Sequence, residues 1–208
     1  MRTKPRAIDP GARVHVIAPA GPVPMERFDR GLRVLRRRMA LDFVQAPNLL
    51  EQVGYFAGDD GQRLHATQDA LADPEAGAVL CARGGYGTTR LLGALDPERL
   101  RAHPKLLVGF SDITALLCWA WVRAGLPSIH GPVVTQLSTL ADDDVERLCD
   151  LLRGEVPTPL QAEEGTVISG GTVEGTLIAG NLEVLRALVG TRAMPSLSGA
   201  ILAIEEIG

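Results

Sequence analysis

The stretch Val108-Gly109-Phe110-Ser111-Asp112-Ile113-Thr114 places a serine between a short apolar run and a longer one. That pattern puts Ser111 on a strand-to-helix turn, where the first amides of the new helix lack carbonyl partners and point at whatever approaches the hydroxyl. A turn of this kind can present a nucleophile beside an oxyanion site, and Gly109 two residues earlier lets it tighten. The motif reads G-x-S-x-I rather than G-x-S-x-G. Because serine and aspartate are also good helix caps, capping and nucleophilic attack stand here as two readings of Ser111-Asp112.

A second candidate, Arg83-Gly84-Gly85-Tyr86-Gly87, follows another apolar run. Three glycines in four positions allow a ligand to approach the backbone closely and leave amides for an oxyanion or a carboxylate. The P-loop spacing with its lysine and the G-x-G-x-x-G fingerprint are both absent, which counts against a nucleotide or phosphate binder. A tight loop without a ligand is the alternative.

Glu205 and Glu206 follow the apolar run 200–204. A carboxylate at a strand end can orient a catalytic histidine, although paired glutamates there are often just solvated. His130, in Ser128-Ile129-His130-Gly131-Pro132, ends a strand-like run and reads as a shaper of the site rather than its base. His15 in a strand and His65 in a helix read as structural, and His103 lies in a loop.

The elements that must position these residues alternate. Strand-like runs at 13–18, 41–45, 77–82, 105–110 and 128–130 are separated by helix-like stretches at 25–39, 60–71, 87–95 and 111–124, and a further helix is expected at 142–152. In the first helix Phe28, Leu32, Leu35 and Met39 recur at spacings of four, three and four, while Arg30, Arg33, Arg36, Arg37 and Arg38 form a solvated face. Strands separated by helices specify an α/β, flavodoxin-like domain with a parallel sheet, whose ligands sit at the strands' C-terminal ends. The texture changes to Pro- and Gly-rich after Gly154. The expected organisation is an α/β domain over 1–153, a linker over 154–165 and an incomplete, smaller, β-rich domain over 166–208, with a strand at 172–178, a helix at 181–188 and a strand at 200–205.

Composition narrows the function classes. The 208 residues are 46% hydrophobic with a net charge of −4, which excludes disorder and implies neither nucleic acid nor a membrane surface as partner. Cys81, Cys118 and Cys149 are too few and too scattered for a disulfide framework or a thiolate metal site. No secretory signal is read at the N-terminus, so the protein is expected in the cytoplasm. At roughly 150 residues per domain the length corresponds to about 1.4 domains, an awkward fraction.

Seven segments together carry a resemblance. Val16-Ile17-Ala18-Pro19-Ala20, Tyr55-Phe56-Ala57-Gly58 with Gln62-Arg63, Arg83 to Gly87, Gly109 to Thr114, His130-Gly131-Pro132, Gly180-Asn181-Leu182 and Ile204 to Gly208 are similar, in order, to the LD-carboxypeptidases. These are cytoplasmic murein tetrapeptide carboxypeptidases, related to the microcin C immunity peptidases. The resemblance implies a serine peptidase without metal or cofactor that releases D-alanine from the L,D-peptide bond of a recycled muropeptide, and a homodimer. Ser111 matches the nucleophile, the amides of Gly85 and Asp112 the oxyanion hole, and Glu205, rather than Glu206, the triad glutamate. Gly84, Tyr86 and His130 fall among the substrate-binding positions.

The family's catalytic histidine lies well after the glutamate motif, and none of His15, His65, His103 or His130 matches it. The 208 residues alone are therefore expected to show little peptidase activity, and residues 166–208 to expose apolar strand surface. A truncated, inactive muropeptide binder and a hydrolase of microcin C-type conjugates are the alternative readings.

Overall fold

The computed structural model describes residues 3–157, 159 and 165–207. Five strands, β1 (Arg13–Ile17), β2 (Asp42–Gln45), β3 (Ala76–Cys81), β4 (Leu106–Gly109) and β5 (Ile129–His130), form one parallel sheet in the order β2-β1-β3-β4-β5. This is the flavodoxin-like order, and it reverses direction between β1 and β3. The loops after those two strands meet at the reversal, where the Gly21 amide donates to the Gly84 carbonyl.

The α/β expectation holds, and the first crossover helix shows the apolar stripe read from the sequence. Helix α1 (Met25–Met39) buries Phe28, Leu32, Leu35 and Met39 and leaves most of its arginines outside. Arg38 crosses to the far helix α5 (Asp142–Leu152), where its Nη1 donates to Glu146 at 2.7 Å. Gly31 lets α1 press on the turn at Val134, since a Cβ there would lie 1.9 Å from the Val134 carbonyl oxygen. Helix α2 (Asp60–Ala72) starts on a capping box, in which Asp59 accepts from the Gln62 amide and the Gln62 side chain accepts from the Asp59 amide. It neighbours α3 (Pro97–Ala102), and α4 (Thr114–Trp119) continues from a 3₁₀ turn at Ser111–Ile113 into a π-type turn at Ala120–Ala124.

Two expected elements differ. Instead of a helix at 87–95 there is a 3₁₀ turn, Thr88–Arg90, followed by turns at 91–94, because Gly87 is left-handed and Gly93 interrupts the run. The helix in this region is α3, with Asp96 accepting from the Glu98 amide and Pro97 in its first turn. The strand expected at 172–178 is displaced to β6 (Thr176–Asn181).

Beyond α5, β6, helix α6 (Leu182–Leu188) and β7 (Ala200–Glu205) form one parallel β-α-β unit, a small second sheet of two strands. Residues 158 and 160–164 of the expected linker lie outside the described residues, as does Gly208. Helix α6 packs on α4, and Leu185, Leu188 and Ala193 join the main core. The sheet itself is poorly covered: Leu177, Leu202 and Ile204 are 63%, 45% and 50% exposed. Among the described residues no helix is long and apolar enough to cross a membrane.

Candidate active site

Ser111 has φ = 61°, and among the described residues Ala40 is the one other non-glycine with positive φ. Such a conformation costs a residue with a Cβ about 1–3 kcal/mol, so the surroundings must hold it. They do so by close approach. A Cβ on Gly109 would meet Ile113 Cγ2 at 2.2 Å, so the chain can fold back on itself only with glycine at 109. The outcome is a half-buried serine just past the C-terminal end of β4.

The glycine loop passes directly beside it. A Cβ on Gly84 would lie 3.0 Å from Ser111 Cβ and 3.3 Å from its Oγ, and one on Gly85, at φ = 125°, would lie 3.0 Å from Gly21. The Gly21 amide donates to the Gly84 carbonyl at 3.1 Å and so joins the loops after β1 and β3. Among the described residues, the amides of Gly85 and Asp112 have no acceptor. Unpartnered amides beside a hydroxyl are groups of the kind that can hold negative charge.

The Asp112 carboxylate plays a different part. It is buried, and its Oδ2 accepts from the Thr88 amide at 2.9 Å, pinning the end of the glycine loop to the serine turn. Tyr86 is exposed, 6.0 Å from the Phe56 ring. With Tyr55, Arg83 and Gly21 it lines a groove of about 670 Å³ that includes Gly85.

His130 packs at a tilt against Phe110, the ring centres 5.2 Å apart. Its Nε2 is buried without a partner, and burial depresses its pKa. A neutral imidazole at pH 7 follows. It lines a cavity of about 300 Å³ with Phe110, Gly131, Pro132 and Leu148. His15 is instead 2.7 Å from Asp73, and His65 pairs with Asp69 on the surface.

Glu205 reaches the neighbourhood through a relay of backbone and side chain. It pairs in register with Asn181, whose amide donates to Thr114 Oγ1 at 3.0 Å, one turn into the helical segment that Ser111 opens. Gly180 permits this contact, since a Cβ there would lie 2.4 Å from Thr114 Cγ2. Glu205 Oε1 is buried without a partner; burial pushes its carboxyl pKa up, the Asn181 amide opposes, and the Glu206 charge adds to the rise. Glu206 is pulled down, chiefly by the Ile207 amide at 2.9 Å.

Sequence reasoning named no role for Gly21, Arg63, Thr114 or Asn181. Asn181 caps α6 by accepting from the Val184 amide at 3.1 Å, and an asparagine before the apolar run 182–188 is a readable signal for that. No local signal marks the other three.

A family model described as the LD-carboxypeptidase N-terminal domain matches residues 14–131, and one described as the LD-carboxypeptidase C-terminal domain matches residues 174–208. The chain belongs to the LD-carboxypeptidase family. A Streptomyces coelicolor protein named as a carboxypeptidase is 41% identical over 99% of this chain and 68% of its own length. The murein tetrapeptide carboxypeptidase of Pseudomonas aeruginosa is 37% identical over 94% of the chain and 66% of its own. The chain thus spans about two thirds of the length of these relatives. Among solved structures, the muramoyltetrapeptide carboxypeptidase of Oxalobacter formigenes superimposes with a TM-score of 0.75 at 30% identity, covering 93% of this chain and 65% of that one. An MccF-like protein of Bacillus anthracis gives 0.89 at 24% identity over 98% and 70%, a likeness of fold.

Proposed function

We propose that this LD-carboxypeptidase family member carries the nucleophile and oxyanion hole of a cytoplasmic serine peptidase that cleaves the L,D-peptide bond of murein tetrapeptide and releases D-alanine. The observation that carries the reading is Ser111 at φ = 61°, pressed against Gly84 and flanked by the free amides of Gly85 and Asp112. A helix cap needs no such conformation. The likeness to the murein tetrapeptide carboxypeptidase supports a muropeptide as the substrate class.

In this reading Ser111 Oγ attacks the scissile carbonyl and gives its proton to a base. The carbonyl oxygen becomes an oxyanion held by the Gly85 and Asp112 amides, the D-alanine amine leaves with the proton, and water hydrolyses the acyl-serine. Glu205 orients the base, while Tyr86 lines the substrate groove, Gly84 leaves room for substrate beside Ser111 and His130 shapes the site through Phe110. The base is assigned to a histidine outside residues 1–208, within the further third of length that the relatives have. The unit over 166–208 is read as the part of a second domain that delivers Glu205, and the working assembly as a homodimer.

The test is D-alanine release from an L,D-tetrapeptide by this chain and by a C-terminally extended form. Turnover by the extended form that Ser111→Ala abolishes supports the reading. Turnover that survives Ser111→Ala refutes the nucleophile, and tight muropeptide binding without turnover in either form favours a binding protein instead.

A further inference from the structure

Arg63 is fully buried in the main domain, a costly place for a guanidinium. Its Nη1 donates to two carbonyls on two different loops, Pro19 after β1 at 2.6 Å and Gly87 after β3 at 3.1 Å. Its Nη2 donates to Asp60, and its plane lies 4.6 Å from the Phe56 ring centre. The glycine loop is shaped around it, since a Cβ on Gly87, at φ = 118°, would meet Arg63 Nη1 at 2.8 Å and Phe56 at 2.7 Å.

The Asp60 carboxylate also takes Arg90 Nε and Nη2, at 2.8 and 2.6 Å, from the turn that follows the glycine loop. At its other end the loop is held by the Gly21 amide on Gly84 and by Arg83 Nη1 on the Pro22 carbonyl at 2.5 Å. Gly85 and Tyr86 are the residues between these two clamps. Gly85 closes on the β1 loop, so its amide direction depends on how far that loop stands from the glycine loop. Arg63 bridges both.

We propose that Arg63 is a positioning residue for the oxyanion site, fixing the Gly85 amide by holding the Pro19 and Gly87 carbonyls at a set separation. It touches no substrate, and the assignment rests on the peptidase reading above. The planar fork matters more than the charge: a lysine ammonium reaching the same place lacks the second nitrogen for Asp60 and the flat face for Phe56. A displacement of about 1 Å at a reacting group can cost about 100-fold in rate, so loosening this bridge should act on the transition state more than on substrate binding.

Arg63→Lys and Arg63→Gln should be made in the C-terminally extended enzyme. With thermal unfolding as a check on folding, the expected result is a kcat at least about tenfold lower with KM within about twofold. Affinity for a peptide phosphonate, whose anionic oxygen stands in for the tetrahedral oxyanion, should fall in parallel with kcat, and product affinity should not. Amide hydrogen exchange across residues 83–88, which needs no turnover, should accelerate in both variants. A folded variant with wild-type kcat, phosphonate affinity and exchange overturns the proposal. If the wild-type enzyme has no peptidase activity, the peptidase reading fails by itself, and unchanged exchange at 83–88 still refutes the role of Arg63.

Discussion

The serine end and the glutamate end of the candidate site are built differently. Ser111 sits on the rim of a five-stranded sheet whose Val16, Leu80, Leu107 and Val108 are all buried, and its strained backbone is held from three sides by the Gly109 fold-back, the glycine loop and the Asp112–Thr88 hydrogen bond. Glu205 ends a two-stranded sheet whose neighbours Leu202 and Ile204 face solvent, and its link to the core is Asn181 on Thr114. Two strands with half-exposed faces contribute little stability of their own. The serine is held in a strained conformation by packed surroundings, whereas the carboxylate ends a thinly covered strand.

The largest effect should come from the strained serine. Ser111→Ala in an active, extended enzyme should lower kcat by about 10⁴-fold or more. Ser111→Gly should be equally inactive yet gain about 0.5 kcal/mol of stability, because glycine adopts a positive φ without steric cost. Loss of stability in Ser111→Gly on thermal or urea unfolding would show that the turn is not strained. It would then remove the contrast with the relaxed β7.

Next is the packing difference itself. Leu107→Ala in β4 opens a cavity in the sheet core and should cost about 2–5 kcal/mol in urea unfolding, whereas Leu202→Ala in β7 should cost about 0.5 kcal/mol or less. Equal losses at the two positions would mean that β7 is covered in solution.

How much of this was legible in the sequence follows the same divide. The main domain is legible where an amphipathic helix buries a regular stripe, as Phe28, Leu32, Leu35 and Met39 of α1 do. Ser111 and the glycine loop were legible through glycines whose absent side chains are required at 84, 85, 87 and 109. The 87–95 stretch misled because Leu91, Leu92 and Leu95 have helical spacing, while the left-handed Gly87 and the Asp96-Pro97 start of α3 decide the backbone. The role of Arg63 is not legible in the sequence, because its partners Pro19 and Gly87 lie 44 and 24 residues away and are backbone carbonyls, which leave no trace in side-chain patterning.

A smaller effect separates the buried base of the sheet from its functional rim. Lys105 is buried, with Nζ donating to the carbonyls of Ala70, at 3.1 Å, and Asp73, and burial lowers its pKa to about 8. Between that value and the ordinary lysine value of about 10.5 the folded protein has released a proton that the unfolded chain keeps. The unfolded state then binds more protons, so stability should rise as pH increases from 8 toward 10. Lys105→Met should flatten that slope in denaturant midpoints measured across the range. A wild-type slope that survives the substitution would place the titrating group elsewhere.

The finest distinction lies between adjacent glutamates. Burial, with the Glu206 charge behind it, raises the Glu205 carboxyl above the ordinary glutamate range against the pull of Asn181, whereas the Ile207 amide holds Glu206 below it. An acid raised by folding is penalised when ionised, so Glu205→Gln should stabilise the chain slightly at pH 7, with the gain fading as pH falls through the carboxyl range; Glu206→Gln should do the reverse. Carboxyl carbon NMR titration should give two separate curves, Glu205 above Glu206. A group kept against its own solvation, with Oε1 unpartnered, has spare capacity for a donor such as the N–H of an incoming imidazole. Coincident titration curves, or a destabilised Glu205→Gln at pH 7, would remove the ground for preferring Glu205 and leave the two carboxylates equal candidates.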